Sequence, residues 1–210
     1  MAAELPSKWR DTDIGISRSL ELAHLSLLSG GLAVGSVLLD RENAIVAEGR
    51  NRAYDPPGGD DRLQGTPIAH AEMNALASVA TSTDLSSMTL WSSHQPCAMC
   101  AAACRFTGVG TVRFVAPDPS DRDGGPDPAG ADDRWLITAN LLFLSAVSGY
   151  SGPSAPMIVR ARSAEPETTE LLDAVSPSVL RAPTLSESLE PIWPQIVAAA
   201  DRRRHRMSPP

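Results

Sequence analysis

An α/β fold, with helices on both faces of a mixed sheet, is predicted for this 210-residue chain by three observations. Apolar stretches of helical length alternate with short β-branched runs. Clusters of Gly, Pro, Asp and Asn punctuate them. A hydrophobic content of 42% is enough to bury one good core with room for an appendage.

The elements follow in order. A helix is expected over 12–29. Residues 22–39 hold no charge when His24 is neutral. Gly30-Gly31 divides this run into a helical half and a β-branched half containing Val34 and Val37, so helix, turn and strand fit better than a membrane span. Strands at 32–39 and 44–48 flank the turn 40–43 as a hairpin. A polar, glycine-rich loop over 51–65 leads to a helix announced by Thr66 and Pro67, which carries His70, Glu72 and the run 73–80. A strand at 88–92, a helix opening near Cys97 and a strand at 111–116 complete this half.

Beyond Ala116 the composition changes. Residues 117–133, rich in Pro, Gly and Asp, read as an exposed loop. A helix over 133–148, a fifth strand at 157–161 and helical patches at 167–175 and 186–204 are expected to follow. The apolar run 135–147 is too short to cross a bilayer. No internal repeat is apparent. The expected organisation is a single domain: a core over 1–118, and an extension over 119–210 that completes the sheet and packs on the core.

A net charge of −7 argues against a large phosphate-binding surface. The basic run Arg202-Arg203-Arg204-His205-Arg206 reads most simply as a charged helix end, with nucleic-acid contact as the alternative. All three cysteines fall between 97 and 104, which leaves no disulfide framework. With no apolar signal-peptide core over 1–13, this composition fits the cytoplasm.

The chemistry concentrates in two short motifs, His70-Ala71-Glu72 and Pro96-Cys97-Ala98-Met99-Cys100. Together they offer one imidazole, two thiols and a spare carboxylate. Cys97 and Cys100, at i and i+3, lie on one helix face and can grip one metal. Pro96 suits a helix start, where its missing N–H would be unpaired anyway. Thiols in a first helical turn lose their protons more readily. His70 and Glu72 are two apart and would point to opposite sides of a regular helix, so both reach one site only if they straddle an irregular first turn.

Two thiolates neutralise Zn²⁺, and a catalytic site of this kind lowers the pKa of a bound water to about 7. The competing arrangement is a closed structural zinc site, with His94 or Cys104 as fourth ligand. Such a site has no use for the carboxylate two residues beyond His70.

Residues 12–118 resemble the cytidine/deoxycytidylate deaminase superfamily, and more closely its branch of tRNA adenosine, guanine and cytosine deaminases. Four stretches carry the likeness: 33–38, 48–52, 69–76 and 95–100. The H-x-E…P-C-x-x-C pairing is the signature of the zinc deaminases.

The resemblance implies a three-layer α-β-α cytidine-deaminase-like fold, with a central mixed five-stranded sheet and a C-terminal helical extension. It implies a zinc cofactor held by His70, Cys97 and Cys100, with Glu72 as proton shuttle. Asn51 matches the family asparagine that bonds the base, its alternative role being to tie down its own turn. The Ala71 N–H, at a helix start, can bind a ring carbonyl.

One departure bears on substrate. The tRNA deaminases usually read Leu-Glu-Pro-Cys where this chain has His94-Gln95-Pro96-Cys97. Three roles compete for His94: substrate contact, buried structural hydrogen bond and metal ligand. Among the aromatics, Trp91 reads as core and Tyr54 as a base-stacking residue or loop anchor. Trp135, Phe143 and Tyr150 read as pocket closure or helix core, and His24 as structural.

The expected function is hydrolytic deamination of a small nucleobase or analogue (cytosine-like, guanine or aminated triazine), with water as co-substrate. The alternatives are tRNA adenosine editing, nucleoside deamination and an inactive partner subunit. A homodimer is expected by resemblance; nucleic-acid and membrane partners are not.

Overall fold

The computed structural model describes residues 12–59, 61, 63–118 and 132–208. The expected N-terminal segment up to 11 and most of the loop 117–133 therefore lie outside the described residues.

Helix α1 (Ile14–Leu28) opens on Asp13, whose carboxylate accepts the Gly15 N–H. Strands β1 (Gly35–Leu39) and β2 (Ile45–Arg50) form the predicted hairpin, with Asn43 at φ 62° in its turn. Then come α2 (Ala71–Ala77), β3 (Thr89–His94), α3 (Ala98–Thr107) and β4 (Thr111–Ala116). Among the described residues the sheet has four strands in the order β2-β1-β3-β4. β1 is antiparallel to both neighbours, and β3 is parallel to β4.

Side chains alternate across this sheet. Val37, Leu39 and Trp91 pack with α1 and the later helices, whereas Leu38, Ala47 and Leu90 join Cys104 beneath α2 and α3. Two glycines let the helices approach. A Cβ on Gly35 would meet Ser19 O at 2.3 Å, and one on Gly49 would meet Ala71 O at 2.1 Å.

The expected fifth strand is not found. Residues 157–161 lie within α5 (Pro156–Ala164), which Pro156 starts at its first position. A short apolar run does not by itself separate strand from helix.

The remainder is helical: α4 (Asp133–Ser151), α6 (Pro166–Ala174), α7 (Leu185–Leu189) and α8 (Trp193–Met207). Every residue of α4 from Trp135 to Val147 is buried, because α1 and β4 cover one side and α6 and α8 the other. Trp135 packs against Trp193 with ring centroids 5.2 Å apart. Among the described residues no helix is long and apolar enough to cross a membrane.

Candidate active site

Two helix starts meet at one point. His70 caps α2 in an extended conformation, outside the helix, while Glu72 lies in its first turn. This resolves the two-residue spacing. Cys97 caps α3 in the same way, and Cys100 lies one turn in, fully buried.

His70 Nδ1 stands 3.6 Å from each of the two sulfurs. The three ligand atoms all lie within 4.8 Å of one another, and the three residues form the metal-competent group among the described residues. Donors bonded to one zinc at about 2.0 Å (nitrogen) and 2.3 Å (sulfur) in tetrahedral geometry stand about 3.6 Å apart. The donor set therefore fits zinc in kind and spacing. His94 is not in the group, and Cys104 packs among Leu38, Leu85 and Leu90.

Electrostatics qualify one expectation. Burial first, and then the neighbouring Glu72 and Cys97, push the Cys100 thiol up rather than down. Cys104 is pushed up to about 11 by burial and Glu72. A bound divalent cation reverses this logic for a coordinating thiol.

Glu72 is buried, and its Oε1 accepts the Ser92 hydroxyl at 2.8 Å. Ser92 escaped the sequence reading, although it shares the Leu90 face of β3 by simple alternation. So did Asn74, whose amide donates to Arg50 O (2.8 Å) and Ala69 O (3.3 Å), lacing α2 to the strand that delivers Asn51.

Asn51, His70, Glu72, His94 and Cys97 line one cavity of about 180 Å³, which Phe143 and Met157 close from the C-terminal half. Asn51 Oδ1 accepts the Ala53 N–H at 3.1 Å, so its side chain secures its own turn. The Arg50–Asp55 ion pair braces the same loop. Ala71, the first residue of α2, is fully buried.

The His94 ring lies 4.9 Å from that of Phe143, and its Nδ1 is 3.3 Å from Ser93 Oγ. Its Nε2 is buried without a hydrogen-bond partner. Burial lowers its pKa to about 4 against the opposing influence of Asp118 and Asn140.

The other singled-out aromatics are accounted for. Trp91 is core, with the Arg113 guanidinium over its ring, and Tyr54 meets Tyr150 edge-on at 4.5 Å. His24 Nε2 lies 3.1 Å from both Leu180 O and Ser188 Oγ.

Comparison with known proteins matches residues 15–116 to the cytidine and deoxycytidylate deaminase zinc-binding region. The chain is 34% identical over 103 residues to the tRNA-specific adenosine deaminase of Haemophilus influenzae, covering 48% of this chain and 55% of that protein. Guanine deaminase from Bacillus subtilis aligns at 28% identity and a TM-score of 0.41, over 49% of this chain and 62% of the other. Guanine deaminase from Nitrosomonas europaea aligns at 20% identity and a TM-score of 0.45, over 68% and 76%. The chain thus spans little more than half the length of the curated relative it matches.

Proposed function

We propose that the chain is a zinc-dependent hydrolytic deaminase acting on a small nucleobase or base analogue, a reading supported by the match of residues 15–116 to the cytidine and deoxycytidylate deaminase zinc-binding region. The net reaction replaces a ring-bound amine with a carbonyl oxygen, consuming one water and releasing ammonia. The observation that carries the choice of substrate is the cavity: about 180 Å³ is small beside the roughly 300–1,000 Å³ of ordinary ligand pockets. A lone base suits it better than a nucleoside.

His70, Cys97 and Cys100 would hold zinc, which supplies a Lewis acid that makes water nucleophilic at neutral pH. Glu72 would carry one proton from the attacking water to the ring nitrogen beside the amine, and a second, from the hydroxyl added at the carbon, to the departing ammonia. Ser92 holds Oε1, which leaves Oε2 to carry the proton. Asn51 and the Ala71 N–H orient the ring. Phe143 and Met157 exclude water from the far wall.

In this reading, 1–118 is the zinc deaminase core and 119–210 the extension of the same domain. We place the protein in the cytoplasm. A homodimer is part of this reading, and the support for it is Phe106, 92% exposed near the end of α3.

The test is ammonia release from a panel of free bases, nucleosides and aminated triazines, with zinc content measured alongside. Glu72→Gln should keep its zinc and lose activity by about 10²–10⁴-fold, the usual worth of a positioned acid–base. Full activity in that variant would overturn the mechanism. The likeness to a tRNA-specific adenosine deaminase sustains a second reading. Salt-sensitive binding of tRNA, with deamination of adenosine in the RNA but of no free base, would establish it instead.

A further inference from the structure

Ser93 and His94 form a short relay that ends in the cavity. Ser93 Oγ accepts the backbone N–H of Gly35 at 3.1 Å, and the same oxygen lies 3.3 Å from His94 Nδ1. With one lone pair so engaged, the arrangement that also uses the hydroxyl proton has Ser93 donating to Nδ1. A neutral imidazole that accepts at Nδ1 carries its proton at Nε2.

That Nε2 is buried without a hydrogen-bond partner, on a side chain that lines the cavity with Glu72 and Cys97. Asn140 stands close enough to favour a proton on the ring but makes no bond of acceptable geometry to Nε2. An unpaired buried N–H carries a desolvation cost that no protein partner offsets. A ligand that brings an acceptor to this atom removes the cost, whereas one that brings a donor or a bare C–H leaves it in place.

We propose that His94 is a specificity-determining hydrogen-bond donor, held as the Nε2–H tautomer by Ser93, and that it selects amino-heterocycles bearing a ring carbonyl oxygen. The proposal rests on the deaminase reading and narrows its substrate class. Ser93 is a positioning residue: it acts on the ligand only through the ring it orients. Phe143 fixes the plane of that ring from α4.

Two measurements test it. The histidine ¹⁵N spectrum of the zinc-loaded protein should show a pyridine-type Nδ1 and a pyrrole-type Nε2 for His94. In Ser93→Ala that signal should move toward a mixture of tautomers. A pyrrole-type Nδ1 in the wild type overturns the proposal whatever the activity.

The second measurement compares kcat/KM within two pairs of probes, cytosine with 4-aminopyrimidine and guanine with 2-aminopurine. Each pair differs by the ring carbonyl. The wild type should prefer the oxo member of the pair it accepts by about 10–100-fold. His94→Leu should reduce that preference to within about threefold, and His94→Gln, which keeps a donor, should restore part of it. An undiminished preference in a folded His94→Leu protein overturns the proposal. Absence of ammonia release from every panel compound would sink the small-base deaminase reading, while the nitrogen spectrum would still decide the tautomer.

Discussion

Cys100 lies buried against Glu72, and both burial and that carboxylate hold its proton in place. Zinc must displace protons from its thiol ligands, so affinity should rise as pH rises. A competition titration of stripped protein at several pH values, with released protons counted in weak buffer, checks this; affinity flat between about pH 6 and 8 would contradict it. Burial also acts on His94, where it disfavours the protonated form. Its folded pKa of about 4 lies below the ordinary 6.5, so the unfolded chain binds the proton first as pH falls. The stability this contributes is complete above about pH 6.5 and lost progressively toward pH 4. His24, also lowered by burial, acts in the same direction. In urea unfolding of the stripped protein, the wild type should lose about 2 kcal/mol more than His94→Leu between pH 7 and pH 5. Equal losses would show that the ring is not held neutral in the fold.

At the scale of elements, the site depends on where α2 sits on β2. Gly49 permits that contact, since a Cβ there would lie 2.1 Å from Ala71 O and 2.5 Å from Ala75 N. Gly49→Ala should push α2 outward, cost about 1–3 kcal/mol in thermal or urea unfolding, and weaken zinc binding because His70 caps the displaced helix. Unchanged zinc affinity in a destabilised variant would separate the helix position from the metal site. Most elements were legible because periodicity and caps are local. β4 is found over the predicted 111–116, and α4 begins at the predicted Asp133. The segment 157–161 was not legible, since its few apolar residues suit either period and only its packing against α4 and α6 makes it helical. Ser92, Ser93 and Asn74 were missed for a related reason. Each matters through a partner distant in sequence, and serine or asparagine in a strand or helix carries no signal of its own.

Over the whole molecule, the C-terminal half is built into the core. Arg203, with its side chain 8% exposed, donates to both oxygens of Glu165 and to Asp133, tying α8 to the starts of α6 and α4. Arg206 pairs with Glu167, Arg202 with Glu170, and Arg204 with Asp201. The terminal basic run is thus engaged with acids of its own chain, which removes much of its use as a phosphate-binding patch. Arg203→Met should destabilise the protein by about 3 kcal/mol, because it strands two partly buried carboxylates. Since α4 carries Phe143 to the cavity wall, KM should rise as well. A urea transition and KM both unchanged would show that α8 does not brace the site.

The sequence by itself determined the metal-binding chemistry. The kinds and spacing of His70, Glu72, Cys97 and Cys100 are local facts, and helix-start physics turns them into a donor set with a spare acid. It also determined the alternation of elements, because apolar period is written along the chain. Only the tertiary structure decided what faces the cavity. The wall from α4 and α5, the bond from Ser92 to Glu72 and the unpartnered Nε2 of His94 all depend on groups remote in sequence. Packing brings such groups together, and no periodicity records it.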